Sequence, residues 1–157
     1  MIRVPLLLAL LALAACSSAG PDEAGLDPLT EQFVRARAEV PSFGGVALEG
    51  DRPVVITLGP DPASGLVVRS IFGDAAEVRA RPERGDGSET LKDRVSNATF
   101  GVVEDAQSVD YDETTGYVVL ELVTAKALGE VYPTLERAGL PVSEVLVEVS
   151  GSRIVSL

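Results

Sequence analysis

The chain has 157 residues, 46% of them hydrophobic and 24% charged, with a net charge of -11. That is the composition of one globular domain or two very small ones, and not of a disordered or collagen-like chain. The acid excess excludes a nucleic-acid partner, because a phosphate backbone requires a basic face. With no His, no Trp and a single Cys, the sequence lacks the groups for a His-based metal centre, Ser-His or Cys-His catalysis, or a disulfide framework.

Residues 1–15 read as a signal peptide. Arg3 supplies the positive start, and Val4 to Ala15 is an apolar run. The run is too short to cross a bilayer, which takes about 20 residues, but has the length of an h-region. It ends in Leu13-Ala14-Ala15-Cys16, which resembles a bacterial lipobox. The resemblance implies cleavage before Cys16, a diacylglyceryl group on its thiol, and the membrane as a partner. Ser17 stands where an Asp would retain a lipoprotein at the inner membrane, so in a Gram-negative cell the expected address is the periplasmic leaflet of the outer membrane. Residues 16–26 are small, polar and Gly/Pro-containing, and read as a tether.

Asp27-Pro28 opens the first predicted helix, since Asp is a good N-cap and Pro at the first helical position sacrifices no hydrogen bond. Leu29, Phe33, Ala36 and Val40 share one helical face, and Pro41 ends it. Residues 44–49 and 53–59 are strand-like, joined by the turn Gly50-Asp51-Arg52. Asp61-Pro62 repeats the helix start, Val67, Val68, Ile71 and Phe72 form a face, and Gly73 fits a helix C-terminus. Residues 76–80 read as a strand. The segment 81–87, Arg-Pro-Glu-Arg-Gly-Asp-Gly, is the most loop-like stretch after the tether and divides the domain.

Asp86 and Glu89 are spaced as a capping box, opening a helix near 88–103. Residues 107–111 and 117–123 form a second strand pair around the turn 112–116. A further helix carries Leu128, Val131, Leu135 and Ala138 and ends at Gly139. Pro133 is tolerable only in a first turn, which predicts a secure start at about Glu130. Residues 144–149 alternate as a strand, and 153–156 read as a short final one. The order helix, strand, strand, helix, strand thus occurs twice. The predicted fold is α+β: two pseudo-repeated αββαβ halves, 27–82 and 83–157, with small antiparallel or mixed sheets packed by helices into a shared core.

The stretch from Val109-Asp110-Tyr111 through Tyr117-Val118-Val119-Leu120-Glu121-Leu122 resembles the strand–turn–strand signature of streptogrisin and α-lytic-type serine protease pro-domains. The following helix and strand fit that order. The resemblance implies a module that helps a protease fold or inhibits it, with a C-terminal tail in the protease cleft. Ile154, Val155 and Leu157 are then the candidate partner contacts, and a secreted serine protease the candidate partner. No protease sequence follows the module within these 157 residues, which departs from the family pattern.

Asp110, Asp112 and Thr114 approach a calcium-loop pattern, but Thr115 stands where that loop needs Gly, so a plain hairpin turn is favoured. No glycine run forms a phosphate loop, and no carboxylate pair stands out for acid–base work. The expectation is therefore a membrane-tethered, non-catalytic protein-interaction module of the bacterial envelope without cofactor or metal, with Cys16 as its lipidation site. The competing expectation is an envelope structural or small-ligand-binding lipoprotein.

Overall fold

A computed structural model describes residues 25–152. Its elements run α1 (Pro28–Glu39), β1 (Phe43–Glu49), β2 (Arg52–Leu58), α2 (Ser64–Phe72), β3 (Glu77–Arg81), α3 (Glu89–Thr99), β4 (Ala106–Asp112), β5 (Tyr117–Leu122), α4 (Leu128–Arg137) and β6 (Val145–Val149). The strands form two mixed sheets, β1-β2-β3 and β4-β5-β6. In each, an antiparallel hairpin is followed by a helical crossover to a parallel third strand. The repetition extends to detail. Both hairpins shift register at the start of their first strand, between Phe43 and Gly45 and between Ala106 and Ser108. The α+β class and the two similar halves read from the sequence are what the chain forms.

The starts of the helices follow local chemistry. The Asp27 carboxylate accepts the Thr30 amide at 3.0 Å and Pro28 occupies the first turn of α1. At the second Asp-Pro, the Asp61 carboxylate accepts the amides of Ala63 and Ser64, but regular helix begins only at Ser64. Asp86 does not cap α3. That role falls to Ser88, whose hydroxyl accepts the Leu91 amide, while the Asp86 amide is drawn to the Glu144 carboxylate. Helix α3 ends at Thr99, short of the predicted 103. Helix α4 begins at Leu128 and carries Pro133 inside it, against the expectation of a later start. The proline withholds its bond only from the carbonyl of Gly129, and Gly129 is exposed. The predicted strand 153–156 lies outside the described residues.

Three apolar clusters hold these elements together. Val55 of β2 packs with Ala36 of α1, Val40 just beyond it, and Val68 and Ile71 of α2. Val118, Leu120 and Leu122 of β5 and Val145, Val147 and Val149 of β6 pack with Leu91 and Val95 of α3 and Leu128, Val131 and Leu135 of α4. Ile56, Tyr117 and Leu146 meet between the two sheets. The first half also enters the second half's core, because Phe33 and Val46 are fully buried members of it. At the closest approach the residue is a glycine for a steric reason. A Cβ on Gly45 would lie 2.9 Å from the Val147 carbonyl oxygen.

The segment 81–87, read from the sequence as the boundary between the halves, is pinned. Gly85 and Gly87 donate their amides to the carbonyls of Thr115 and Gly116 at 2.9 and 2.8 Å. The Tyr117 hydroxyl donates to the Pro82 carbonyl at 2.9 Å. Gly116 itself has φ +71, and a Cβ there would collide with the Gly85 carbonyl.

Candidate functional site

Residue pairing across the first sheet puts Gly45, Ala47 and Glu49 of β1 on the same face as Ile56 and Leu58 of β2 and Arg79 and Arg81 of β3. One end of this face covers the second sheet through Ile56. The other end opens into a cleft of about 430 Å³. Its floor is apolar, with Ala47 and Leu48 and with Ile56 at the border with the second sheet, and α4 supplies the opposite wall through Gly129, Tyr132 and Pro133. Glu49 and Arg79 stand on one side and Glu136 on the other.

The charged groups are held firmly. Arg79 reaches Glu49 and Glu77, each at 2.6 Å, and Arg52 reaches the same two carboxylates at 2.8 and 2.9 Å. The result is a closed ring of four ions. Hydrogen bonds from Arg79 and Arg52 hold the Glu49 carboxyl down at about 2, so it is an ionised acceptor at any physiological pH and not a proton donor. Its own hydrogen bonds to Glu49 and Glu77 push the Arg79 guanidinium further above its ordinary value. Because the folded pKa of Glu49 is depressed, the ring's stabilising contribution is present above the unfolded value of 4.5 and is lost as pH falls through about 2. We expect acid titration followed by NMR to show the Glu49 side chain titrating at about 2, with the curve moving towards 4.5 in Arg79→Ala. Salt should weaken the effect, since the ring faces solvent.

Arg81 behaves differently. Its Nη1 donates to the carbonyls of Ser143 and Val145 at 3.1 and 2.7 Å, and the guanidinium lies 5.8 Å from the centre of the Tyr132 ring. No carboxylate among the described residues forms an ion pair with it. Burial pushes the Tyr132 phenol above its ordinary value, with Arg81 acting in the opposite sense. The cleft thus presents a fixed cation, an aromatic ring and an apolar floor.

Of the residues singled out in the sequence, Cys16, Ile154, Val155 and Leu157 lie outside the described residues. The Asp112 carboxylate is occupied by its own turn, accepting the Thr114 amide at 2.8 Å and the Thr115 hydroxyl at 2.7 Å. It forms the plain hairpin favoured from the sequence. Among the described residues no three His, Cys, Asp or Glu side chains are grouped to hold a metal, and no helix is long and apolar enough to cross a membrane. The arginines of the cleft were missed. Their signal is the alternation Glu77-Val-Arg79-Ala-Arg81, which puts three charges on one face of a strand that faces the rest of the protein. A second charged spot lies on the other sheet, where Arg37 of α1 meets Glu148 at 2.8 Å and Glu121 at 3.7 Å. Burial, assisted by Glu121 and Asp112, raises the Glu148 carboxyl despite Arg37.

Compared with protein-family models and with curated protein sequences, the chain matches none.

Proposed function

We propose that the chain is a lipid-tethered, non-catalytic binding module of a bacterial envelope, and that its partner seats in the cleft between the first sheet and α4. One observation carries the reading: β3 is at once an edge strand of its sheet and, through Arg79 and Arg81, one wall of the cleft. An extended segment can add to such an edge by main-chain hydrogen bonds while its side chains reach the pocket beside it. The cleft's charges favour recognition over proton transfer. Glu49 stays ionised, Arg79 is saturated by carboxylates, and Arg81 is positioned by two carbonyls. The tether rests on the lipobox resemblance at Cys16. The narrower role of protease inhibitor or folding helper rests on residues 109–122 and on the tail at Ile154, Val155 and Leu157.

The test is site-specific. A photo-crosslinker at Glu136, an exposed residue of the cleft wall, should capture a partner in envelope preparations, and one at Leu66 on α2 should not. With the captured protein purified, Arg81→Ala should weaken binding by about tenfold or more, some 1.4 kcal/mol, while Arg69→Ala on α2 leaves it unchanged. Equal capture at both positions, or an Arg81→Ala affinity equal to wild type, would remove the cleft from the reading. A secreted chymotrypsin-like protease among the captured partners would select the inhibitor role.

A further inference from the structure

Four large apolar side chains are exposed among the described residues, Leu26, Leu66, Phe100 and Val102, and the last two flank a single glycine. After α3 the chain runs Phe100-Gly101-Val102, and these side chains are 44% and 62% exposed. The exposure is built in. The Phe100 amide bonds to the Ser96 carbonyl, and the amides of Val102 and Val103 both bond to the Thr99 carbonyl. Gly101 turns the chain with φ +79. Beneath them Thr99 and Val103 are buried, and the Thr99 hydroxyl is tied to the Val95 carbonyl. The pair is therefore a firm apolar wedge, held outward by its own turn.

Its position gives it meaning. The loop leads to Asp105, whose carbonyl accepts the Val123 amide and whose carboxylate accepts the Thr124 hydroxyl. The next amide, that of Ala125, donates to the Thr30 hydroxyl at the start of α1. Gly151, bonded to the Val123 carbonyl, lies against Leu26, which is itself exposed. The wedge thus stands at the end of the molecule where the tether enters the fold. From Cys16 to Gly25 the chain spans nine residues, at most about 30 Å, so a lipid on Cys16 keeps this end close to the bilayer.

We propose that Phe100 and Val102 insert into the surface of the membrane that holds the lipid anchor, fixing the domain with its tether end down and the β3 cleft free. The proposal rests on the lipidation of Cys16. The insertion is apolar in kind. The chain carries a net charge of -11 and Glu104, next to the wedge, is exposed, so attraction to anionic headgroups supplies nothing.

The chain contains no Trp, which makes the experiment clean. The full lipidated chain carrying Phe100→Trp is reconstituted on phosphatidylcholine vesicles, with and without phosphatidylglycerol. Leu66→Trp serves as the control, on α2 beyond the opposite end of α1, where Ser42 bonds to Asp61. The indole of F100W should shift its emission to the blue and be quenched by bromine-labelled acyl chains. The indole of L66W should do neither, and phosphatidylglycerol should not strengthen the F100W signal. Val102→Trp reports on the same loop if F100W does not keep the wild-type circular dichroism. Co-sedimentation with vesicles while both loop indoles keep the emission of water would overturn the wedge and leave the anchor standing. Failure of every variant to co-sediment would overturn the anchor and the wedge together. A blue shift without lipid that grows with protein concentration would assign the wedge to a second copy of the chain and overturn the proposal.

Discussion

Replacing Phe33 by alanine is expected to cost about 3–5 kcal/mol, the range for truncating a fully buried aromatic side chain. Phe33 is fully buried on α1, yet it belongs to the core of the second sheet together with Val46. Its ring also lies 5.1 Å from that of Phe72, and Phe72 packs against both large clusters. The alanine variant therefore opens a cavity where the two halves join, and neither half can close it without moving α1. A thermal melt should fall by roughly 10–20 °C. Phe33→Leu should recover much of the loss by restoring volume. Phe72→Ala added to Phe33→Ala should cost less than the sum of the two, because both remove the same ring contact. A Phe33→Ala melt within a degree or two of wild type would mean that α1 does not join the halves.

The part of the fold that was legible in the sequence is the part governed by near neighbours. Asp27 and Pro28 marked a helix start because capping needs only the next three residues, and the Asp27 carboxylate does accept the Thr30 amide. The alternation in residues 144–149 marked a strand because Val145, Val147 and Val149 share the face packed by helices. The misreadings occur where distant groups outbid local chemistry. Asp86 has capping chemistry, but its amide bonds to Glu144 and the glycines beside it pair with the turn at Thr115 and Gly116. Ser88 is then the first residue free to cap. Pro133 argued for a late start to α4. The Ala125 amide is fixed by the Thr30 hydroxyl and the Leu128 amide by the Ala125 carbonyl, so the helix starts at Leu128 regardless.

The cleft was illegible for the same reason. Arg81 draws its character from the carbonyls of Ser143 and Val145 and the ring of Tyr132, all more than fifty residues downstream. No spacing rule links them. The ion ring likewise joins the end of β1 to the far strand of its sheet, through Arg79 and Glu49. Only the sheet order, with β3 beside β2, brings them together.

The largest effect is expected from separating the halves. Residues 25–82 and 83–157, expressed alone, should each lack a cooperative melt. In the first fragment Phe33, Val46 and Ile56 lose their cover, and in the second Tyr117 and Leu146 do, since these residues form clusters that cross the boundary. Burying five such side chains contributes about 1.5–3 kcal/mol each. Losing half of that burial removes several kcal/mol from a total stability of about 5–15 kcal/mol. Polar ties are lost as well. The Ala125 amide no longer meets the Thr30 hydroxyl, and Arg81 no longer meets Ser143 and Val145. Each is a bond that the intact protein makes internally and that the fragments give up to water, a net loss of about 0.5–1.5 kcal/mol apiece. Mixing the fragments should restore far-ultraviolet circular dichroism and a single melt, because the first sheet then covers Tyr117 and Leu146 again. Gly45→Val in the first fragment should block that recovery, since its Cβ would meet the Val147 carbonyl oxygen at 2.9 Å. If 83–157 melts cooperatively by itself at the temperature of the whole chain, the halves are independent domains and the clusters joining them contribute little to either.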